Sequence, residues 1–519
     1  MQINHKSTIY KAASILAVFT LLSRIVGLYR DRLFASTFGA GDILDSYYVA
    51  FRIPDLVFNL LILGTLSVAF IPIFTEYFIK DKEEANDIAN TVLSITFVFM
   101  TLLCLLLFFF VPEITRLTAP GFTGVKFNNT VMLTRLFLVS PVLFTLSNVF
   151  SSVLNSLKRF ALVSIAPIIY NLGIIFGIVF LYPKYGIAGL AYGVLIGAGL
   201  HFITQMSGAL VAGFKLRPSW NIKHPGVVKI SKLFLPRILG IDNAQMSLLI
   251  ASIIGSTLAS GTVAIFNLAN NLQAVGIGMF GISFAIAAFP HLSESYARGN
   301  EEEFNQTLLK TSINILFFVI PISVLLILLR AQIIRVILGT GNFDWNATRL
   351  TANTLGIFAI SVFAQSISPL FSRAFYARHN TIVPVVIGLC TLAFNGFISF
   401  VFAKNYGELG LVLGFSVSNI LNAILLFVFL RPRLTNFNDS ALFKAGSKII
   451  LASVLLGLTS YLSLHIFSSF FRLNTTINVL LQAVLAGGLG LAVYALITLS
   501  FGLQEAKFAL SIVKRKLFR

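Results

Sequence analysis

Apolar residues fall in long runs separated by short polar stretches over the whole length of the chain. Crossing ~30 Å of hydrocarbon takes about 20 such residues in a helix. Fourteen runs reach that length, near 9–29, 45–72, 88–111, 130–152, 160–182, 186–212, 233–257, 260–290, 304–329, 350–372, 381–403, 408–430, 446–468 and 476–502. They predict an all-α protein of about fourteen membrane-spanning helices. The first run is followed by no small-residue cleavage site, and Arg24 interrupts its apolar tail. It therefore reads as a span and not as a cleaved leader.

Composition agrees with the pattern. Of 519 residues, 57% are hydrophobic and 11% charged, whereas soluble domains are about a quarter charged. A water-soluble multidomain enzyme is excluded, and so is a disordered chain, which could not solvate this much apolar surface. The net charge of +19 would suggest nucleic acid as partner of a soluble protein. Here the basic residues sit between apolar runs, where they act as topology signals and contacts for anionic phospholipids, and no nucleic-acid partner is expected. With the N-terminus placed inside, 25 Lys and Arg fall in inside connections and 10 in outside ones. That asymmetry predicts cytoplasmic termini and an even number of spans. Cys104 and Cys390 lie inside apolar runs without CxxC spacing, so neither a disulfide framework nor a metal site is expected.

The chain repeats itself once. PIFTE, with Pro72 and Glu76, returns as PHLSE, with Pro290 and Glu294, at an offset of 218. Arg116 and Gly121 match Arg335 and Gly341 at 219 and 220, Pro167 matches Pro384 at 217, and YGIAGLAYG (185–193) matches YGELGLVLG (406–414) at 221. Each unit holds six spans, so both begin on the same side and are related by a pseudo-twofold along the membrane normal. The expected organisation is a first six-span lobe at 1–212, a basic cytoplasmic linker at 213–232, a second lobe at 233–432, and two further spans with a basic tail at 433–519. Two such lobes predict a cleft worked by alternating access.

Charges at mid-membrane cost at least ~2.5–3.5 kcal/mol, so each needs a reason. The first span ends SRIVGLYRDR, placing Arg24, Gly27 and Asp31 on one helical face. Arg30 and Arg32 lie near the outer interface, where snorkelling is an adequate account; Arg24 is deeper. In the second span, Asp45, Arg52, Asp55 and Asn59 share a stripe opposite an apolar face. A self-neutralising Asp–Arg pair is one reading. The other is a cationic cluster for a phosphate or diphosphate, whose oxygens match guanidinium forks: Arg24, Arg30 and Arg52 bind, while Asp31, Asp45 and Asp55 set charge balance and gating. The second lobe offers Asn267, Asn270 and Asn271 with Gln273, which either hydrogen-bond a sugar or peptide or knit helices together. Asp242 and Asn395 are candidates for a cation site of oxygen ligands. Pro54, Pro167, Pro290 and Pro384 mark hinges or bends. No HExxH, GxSxG, P-loop or Cys/His cluster occurs, so no catalysis is expected.

The ordered strings SRIVGLYRD (23–31), FGAGDILDSYYVAFRIPDL (38–56), AFIPIFTEY (69–77), TAPGF (118–122), LNSLKRFALVSIAPIIYN (154–171), SGTV (260–263) and PHLSESYARGNEEEFN (290–305) resemble the MurJ/MviN family of lipid II flippases. The family belongs to the multidrug/oligosaccharidyl-lipid/polysaccharide exporter superfamily, and the resemblance covers roughly 12–436. It implies a bacterial inner-membrane protein that moves an undecaprenyl-diphosphate disaccharide–pentapeptide between leaflets. It also implies substrate roles at Arg24, Arg30, Asp31 and Asp45, and a groove for the polyprenyl tail beside the last two spans. No cofactor is implied; membrane potential, or coupled Na+ or H+, would drive resetting.

The chain departs from the family at three places. Phe58 and Asn271 stand where family members carry arginine, and Leu63 stands in place of an acid before Gly64. Fewer arginines leave room for a flippase of another lipid-linked oligosaccharide, or for a non-transporting scaffold for cell-wall synthesis proteins. A cation-coupled small-molecule exporter is the remaining alternative, and the basic cluster opposes its cationic cargo.

Overall fold

The computed structural model of the chain describes residues 2–59, 66–238, 243–471, 475–507 and 510–511. The chain is an all-α polytopic membrane protein, with no strand among the described residues. The first half carries α1 (Gln2–Phe38), α2 (Asp42–Ala50), α3 (Arg52–Phe58), α4 (Leu66–Lys80), α5 (Lys82–Thr118) and α6 (Gly124–Phe137). It continues through α7 (Val139–Ser156), α8 (Phe160–Phe176), α9 (Tyr182–Tyr185), α10 (Ile187–Val211), α11 (Pro225–Ile238) and α12 (Asn243–Ser256). The second half carries α13 (Thr262–Gly276), α14 (Ser283–Ala297), α15 (Glu301–Leu328) and α16 (Arg330–Ile337). It ends with α17 (Trp345–Ala377), α18 (Ile382–Leu430), α19 (Asp439–Phe470) and α20 (Thr476–Ser500).

Among the described residues, ten helices are long and apolar enough to cross a membrane. One of them, α18, is two spans joined at Gly407, whose φ of 61° and ψ of −139° break the helix. The remaining expected spans fall on α1 and on 45–72 and 233–257, two stretches that include residues outside the described set. Contacts divide the chain into compact units of Met1–Val263 and Ala264–Arg519. The segment 213–263 thus packs with the first unit, whereas the sequence repeat divides the chain at the basic stretch.

That stretch is strapped down. In the first unit, Lys215 pairs with Glu83, Ser219 Oγ donates to Asp87 at 2.6 Å, and Lys229 Nζ lies 3.1 Å from Glu76. Asn90 seals the strap from beneath, donating to the Lys215 carbonyl and accepting from the Arg217 N–H. The core of this unit joins Phe70 and Phe74 of α4, Ile88 and Val92 of α5, and Phe150 and Val153 of α7. In the second unit, Leu292, Leu308, Ile315, Val362, Phe371 and Leu426 join α14, α15, α17 and α18. The last two helices dock on α15 through Ile449, Leu456 and Tyr494, whose hydroxyl donates to the Phe317 carbonyl at 2.7 Å.

The repeat is visible in backbone detail. Gly186 takes φ 57°, ψ −144°, nearly the values of Gly407, its partner at an offset of 221. Lys158 and His379, separated by the same offset, are both in the left-handed region at φ 59° and 56°. Asp81 caps α5 and Asn300 caps α15 in corresponding places. Glycines then set how closely α8 and α10 approach. A Cβ on Gly193 would lie 2.5 Å from Gly177 Cα, and one on Gly173 would lie 2.3 Å from Gly197 Cα. The spacing of four residues puts these glycines on one face, the arrangement that lets membrane helices touch backbone to backbone.

Gly193→Ala is therefore expected to lower stability by about 1–3 kcal/mol through overpacking. Gly199→Ala, on the same helix but facing open space, should be neutral or stabilising. Thermal unfolding of the two purified variants in detergent checks the opposite signs; equal effects would remove the close-approach argument.

Candidate functional site

The site is built where three connections of the first unit meet. FGAGD closes α1 and opens α2, TAPGF follows α5, and SGTV follows α12. Gly121 fits because a Cβ there would lie 2.0 Å from the Ser256 carbonyl, and its N–H donates to Ser256 Oγ. Gly261 has φ +89°, and a Cβ there would lie 2.3 Å from the Ala40 carbonyl. Only glycine combines that backbone with that approach.

The seat brings charge together. Asp45 is 1% exposed, and its Oδ2 accepts from Lys126 Nζ at 2.7 Å and from the Gly261 N–H at 2.8 Å. Lys126 Nζ also lies 2.7 Å from Asp42 Oδ1, which accepts from Ser260 Oγ at 2.7 Å. The ammonium sits 4.2 Å from the Phe122 ring centroid, adding a cation–π contact. One lysine thus bridges two carboxylates, and the second carboxylate holds the next connection. The Lys126 hydrogen bond first, and that from Ser260 second, hold the Asp42 carboxyl below the usual carboxylate range.

Arg30 with Asp31, and Arg52 with Asp55, form two pairs deeper in the unit, with Tyr48 and Tyr170 each in electrostatic reach of both. Arg30 donates Nε and Nη2 to Asp31 Oδ1 at 3.1 and 2.7 Å, and Nη1 to Asn171 Oδ1 at 2.9 Å. Asn171 is itself fixed by its bond to the Pro167 carbonyl. Arg52, buried, donates Nε to Ser252 Oγ at 2.6 Å, and Asp55 interacts with it electrostatically. Tyr48 is within electrostatic reach of Arg30, Asp31 and Arg52. Tyr47 packs between Phe34 and Phe51 at ring distances of 4.5 and 5.0 Å, locking α2 against α1. Arg24 is exposed on α1, six residues or about 9 Å along the helix from Arg30.

The proposed stripe on the second span is thus divided. Asp45 joins the clasp of connections, while Arg52 and Asp55, about 10 and 15 Å further along, make a pair of their own. Asn59 turns back to the Asp55 carbonyl at 2.8 Å. Phe58 packs on Phe144 at 5.5 Å, beside Tyr170 and His201. An aromatic cluster thus occupies the place where the resemblance implied arginine.

In the second unit, Asn270 Oδ1 accepts from Gln273, Gln365 donates to Gln273 and Ser361, and Ser361 donates to Ser416. This chain ties α13 to α17 and α18, the helix-knitting role. Asn267 is buried and, like Asn271, has interaction partners of its own. Asn395 Oδ1 accepts from Ser399 Oγ at 3.0 Å within α18. Asp242 and Leu63 lie outside the described residues. Lys126, Asn171, Ser252 and Gly261 are the partners in these groups that sequence reasoning did not single out. Each is 80 or more residues from its partner; the strings FGAGD, TAPGF and SGTV marked the connections, and the string 154–171 ends on Asn171, without showing what any of them meets.

The architecture has known counterparts. A structure titled "Lipid II flippase MurJ, inward closed conformation" is 26% identical, covers 97% of this chain and 99% of its own, and aligns with a TM-score of 0.77. An inward-facing multidrug resistance transporter of the MATE family, in the MOP superfamily, is 17% identical with a TM-score of 0.67 over 83% of this chain and 99% of its own, and shares the fold. The architecture is that of a polytopic all-α membrane protein. A family model described as lipid II flippase MurJ matches residues 34–484. The lipid II flippase MurJ of Burkholderia cenocepacia is 30% identical over 438 residues, 82% of this chain and 84% of that one. The probable lipid II flippase MurJ of Buchnera aphidicola subsp. Acyrthosiphon pisum is 30% identical over 473 residues, covering 90% and 92%. The chain belongs to the MurJ family, and is a multi-pass protein of the bacterial inner membrane.

Removing Lys126 leaves the buried Asp45 carboxylate without its counter-charge, so Lys126→Ala is expected to destabilise by about 3–5 kcal/mol. Adding Asp45→Asn should recover most of that loss, as read by thermal unfolding of the single and double variants. The Asp42 contribution, from a carboxyl held low in the folded state, is fully present above its ordinary pKa of about 3.9 and lost as pH falls through the folded value. An acid titration of stability should lose that component in Asp42→Asn; an unchanged acid limb would show that Asp42 adds nothing.

Proposed function

We propose that this chain carries lipid II, an undecaprenyl-diphosphate bearing a disaccharide–pentapeptide, from the cytoplasmic to the outer leaflet by alternating access. The observation that carries the reading is the guanidinium row of the first unit: Arg30 and Arg52 held in place by Asp31, Asn171 and Ser252, with Arg24 exposed before them. Fixed forks lose little entropy when phosphate oxygens arrive, and two charge-assisted bonds per fork favour a diphosphate over a neutral headgroup.

An apolar groove of about 370 Å³ supports a place for the tail. Leu316, Phe371, Phe427, Leu442, Phe443 and Ile450 line it, from α15, α17, α18 and α19. The clasp of Lys126 with Asp42 and Asp45 suits a gate on the outer side: breaking its two ion pairs together with the bonds made by Gly261, Ser260 and Gly121 frees three connections at once. Resetting draws on membrane potential, at ~2.3 kcal/mol per charge per 100 mV, or on coupled Na+ or H+. The Lys/Arg asymmetry supports cytoplasmic termini, anionic phospholipids line the basic connections, and cell-wall synthesis proteins are the neighbours this cargo brings. No bond of the substrate is made or broken, so the chain is a transporter and not an enzyme.

Phe58 in its aromatic cluster favours a second reading, a flippase for a different undecaprenyl-diphosphate oligosaccharide. Complementation of a bacterial strain depleted of its own lipid II flippase separates the two. Wild type is expected to restore growth and lipid II in the outer leaflet. Losing the charged bonds of Arg24, about 1.5–3 kcal/mol, should lower outer-leaflet lipid II about ten- to a hundredfold in Arg24→Ala. Failure of well-expressed wild type would reassign the cargo.

A further inference from the structure

The second unit holds a basic cavity that the flipping mechanism does not use. It measures about 210 Å³ and lies between α16, the start of α17 and the start of α20. Arg330 and Arg335 project from α16 and Arg349 from α17, and no carboxylate is among the described residues that line the cavity. None of the three arginines takes part in an ion pair among the described residues. Their hydrogen bonds there are weak or local: Arg330 Nη1 donates to the Ile327 carbonyl, and Arg349 Nη2 lies 3.5 Å from Asn346 Oδ1. The nearby Asp344 carboxylate is turned away, capping α17 by accepting from the Ala347 N–H at 2.7 Å. Three guanidinium groups without a counter-charge repel one another unless an anion joins them.

Two further observations mark a built cavity. Gln482 is 2% exposed, and its Oε1 has no hydrogen-bond partner among the described residues; Gln332 Oε1 is in the same state. Gly356 makes room for the Arg330 stem, since a Cβ there would lie 2.9 Å from Arg330 Cδ. The repeat shows that the trio is not a requirement of the fold. At the offset of 219, Arg335 corresponds to Arg116, but Arg330 and Arg349 correspond to Val111 and Thr130.

We infer that this cavity binds the phosphate diester of an anionic phospholipid, independently of the cargo the chain moves. The connection 330–349 falls on the outer side in the Lys/Arg distribution, and Trp345, 72% exposed, suits the membrane interface beside it. The guanidinium forks take the phosphate oxygens of a headgroup such as phosphatidylglycerol. Because α16, α17 and α20 all contribute, the bound lipid would pin α20 to α16 and α17.

The test uses the purified full-length chain, with lipid retention read by native mass spectrometry and by thermal unfolding in detergent. Phosphatidylglycerol is expected to be retained and to raise the unfolding temperature, while phosphatidylcholine is not. Arg335→Gln with Arg349→Gln should lower retention about tenfold, and Arg116→Gln, at the corresponding place of the first unit, should leave it unchanged. If the double variant does not fold, each single variant should show a partial loss. Unchanged retention in the single or double variants overturns the site. Inorganic phosphate giving the same thermal shift as phosphatidylglycerol would make the ligand a free anion, and displacement by undecaprenyl diphosphate at equal concentration would assign the cavity to delivered cargo; either result overturns the phospholipid.

Discussion

A buried carboxylate is tolerated only in company, and much of the first unit is arranged to provide that company for Asp45. Taking one carboxylate out of water costs several kcal/mol even after relaxation. Lys126 and the Gly261 N–H both reach the same oxygen, at 2.7 and 2.8 Å. For this to happen, α6 must bring Lys126 beside α2, and the connection after α12 must lie against the end of α1. Glycine at 121 and 261 is what permits those approaches. The ion pair and the close backbone contacts are therefore one device, and neither would hold its geometry without the other.

Lipid sets the other constraint, and it made the fold legible. Every backbone polar group must be satisfied inside the helix, so long apolar runs could be read directly as helices. The repeat was equally plain, since PIFTE/PHLSE and the two YG strings survive as turn and cap chemistry: Gly186 and Gly407 share an unusual backbone, as do Lys158 and His379. What the runs did not reveal was local interruption. The hydrogen-bond ladder of the second span is interrupted at Phe51, between α2 and α3, while its backbone stays helical at φ −76° and ψ −18°, and residues of one stripe serve separate groups because they lie about two to three turns apart along it.

The site was half legible for a related reason. Arg30, Asp31, Arg52 and Asp55 announce themselves as charges in apolar sequence, and the structure pairs Arg30 with Asp31 and Arg52 with Asp55. Their partners Asn171 and Ser252 are ordinary polar residues more than a hundred positions away from them, with nothing local to distinguish them from helix-knitting residues. Lys126 looked like any interfacial lysine. Conversely, Asn270 stood out by its spacing, yet it belongs to a hydrogen-bond chain through Gln273, Gln365 and Ser361 that holds helices together. Periodicity reports which face a residue shares; it does not report what is opposite that face.

Bonding of this kind favours discrete states over graded ones. With Gly261 seated, the Asp45 carboxylate is satisfied on two sides; with it withdrawn by even an ångström or two, the N–H bond is lost and the Ala40 contact with it. Water must then take the place of the Gly261 N–H, because a buried carboxylate is costly when part of its bonding is left unmet, even with Lys126 still paired to it. A connection held in this way is either closed and dry or open and wet. A transporter that exposes a polar headgroup to one side at a time needs that property, since a half-open clasp would leak without releasing cargo.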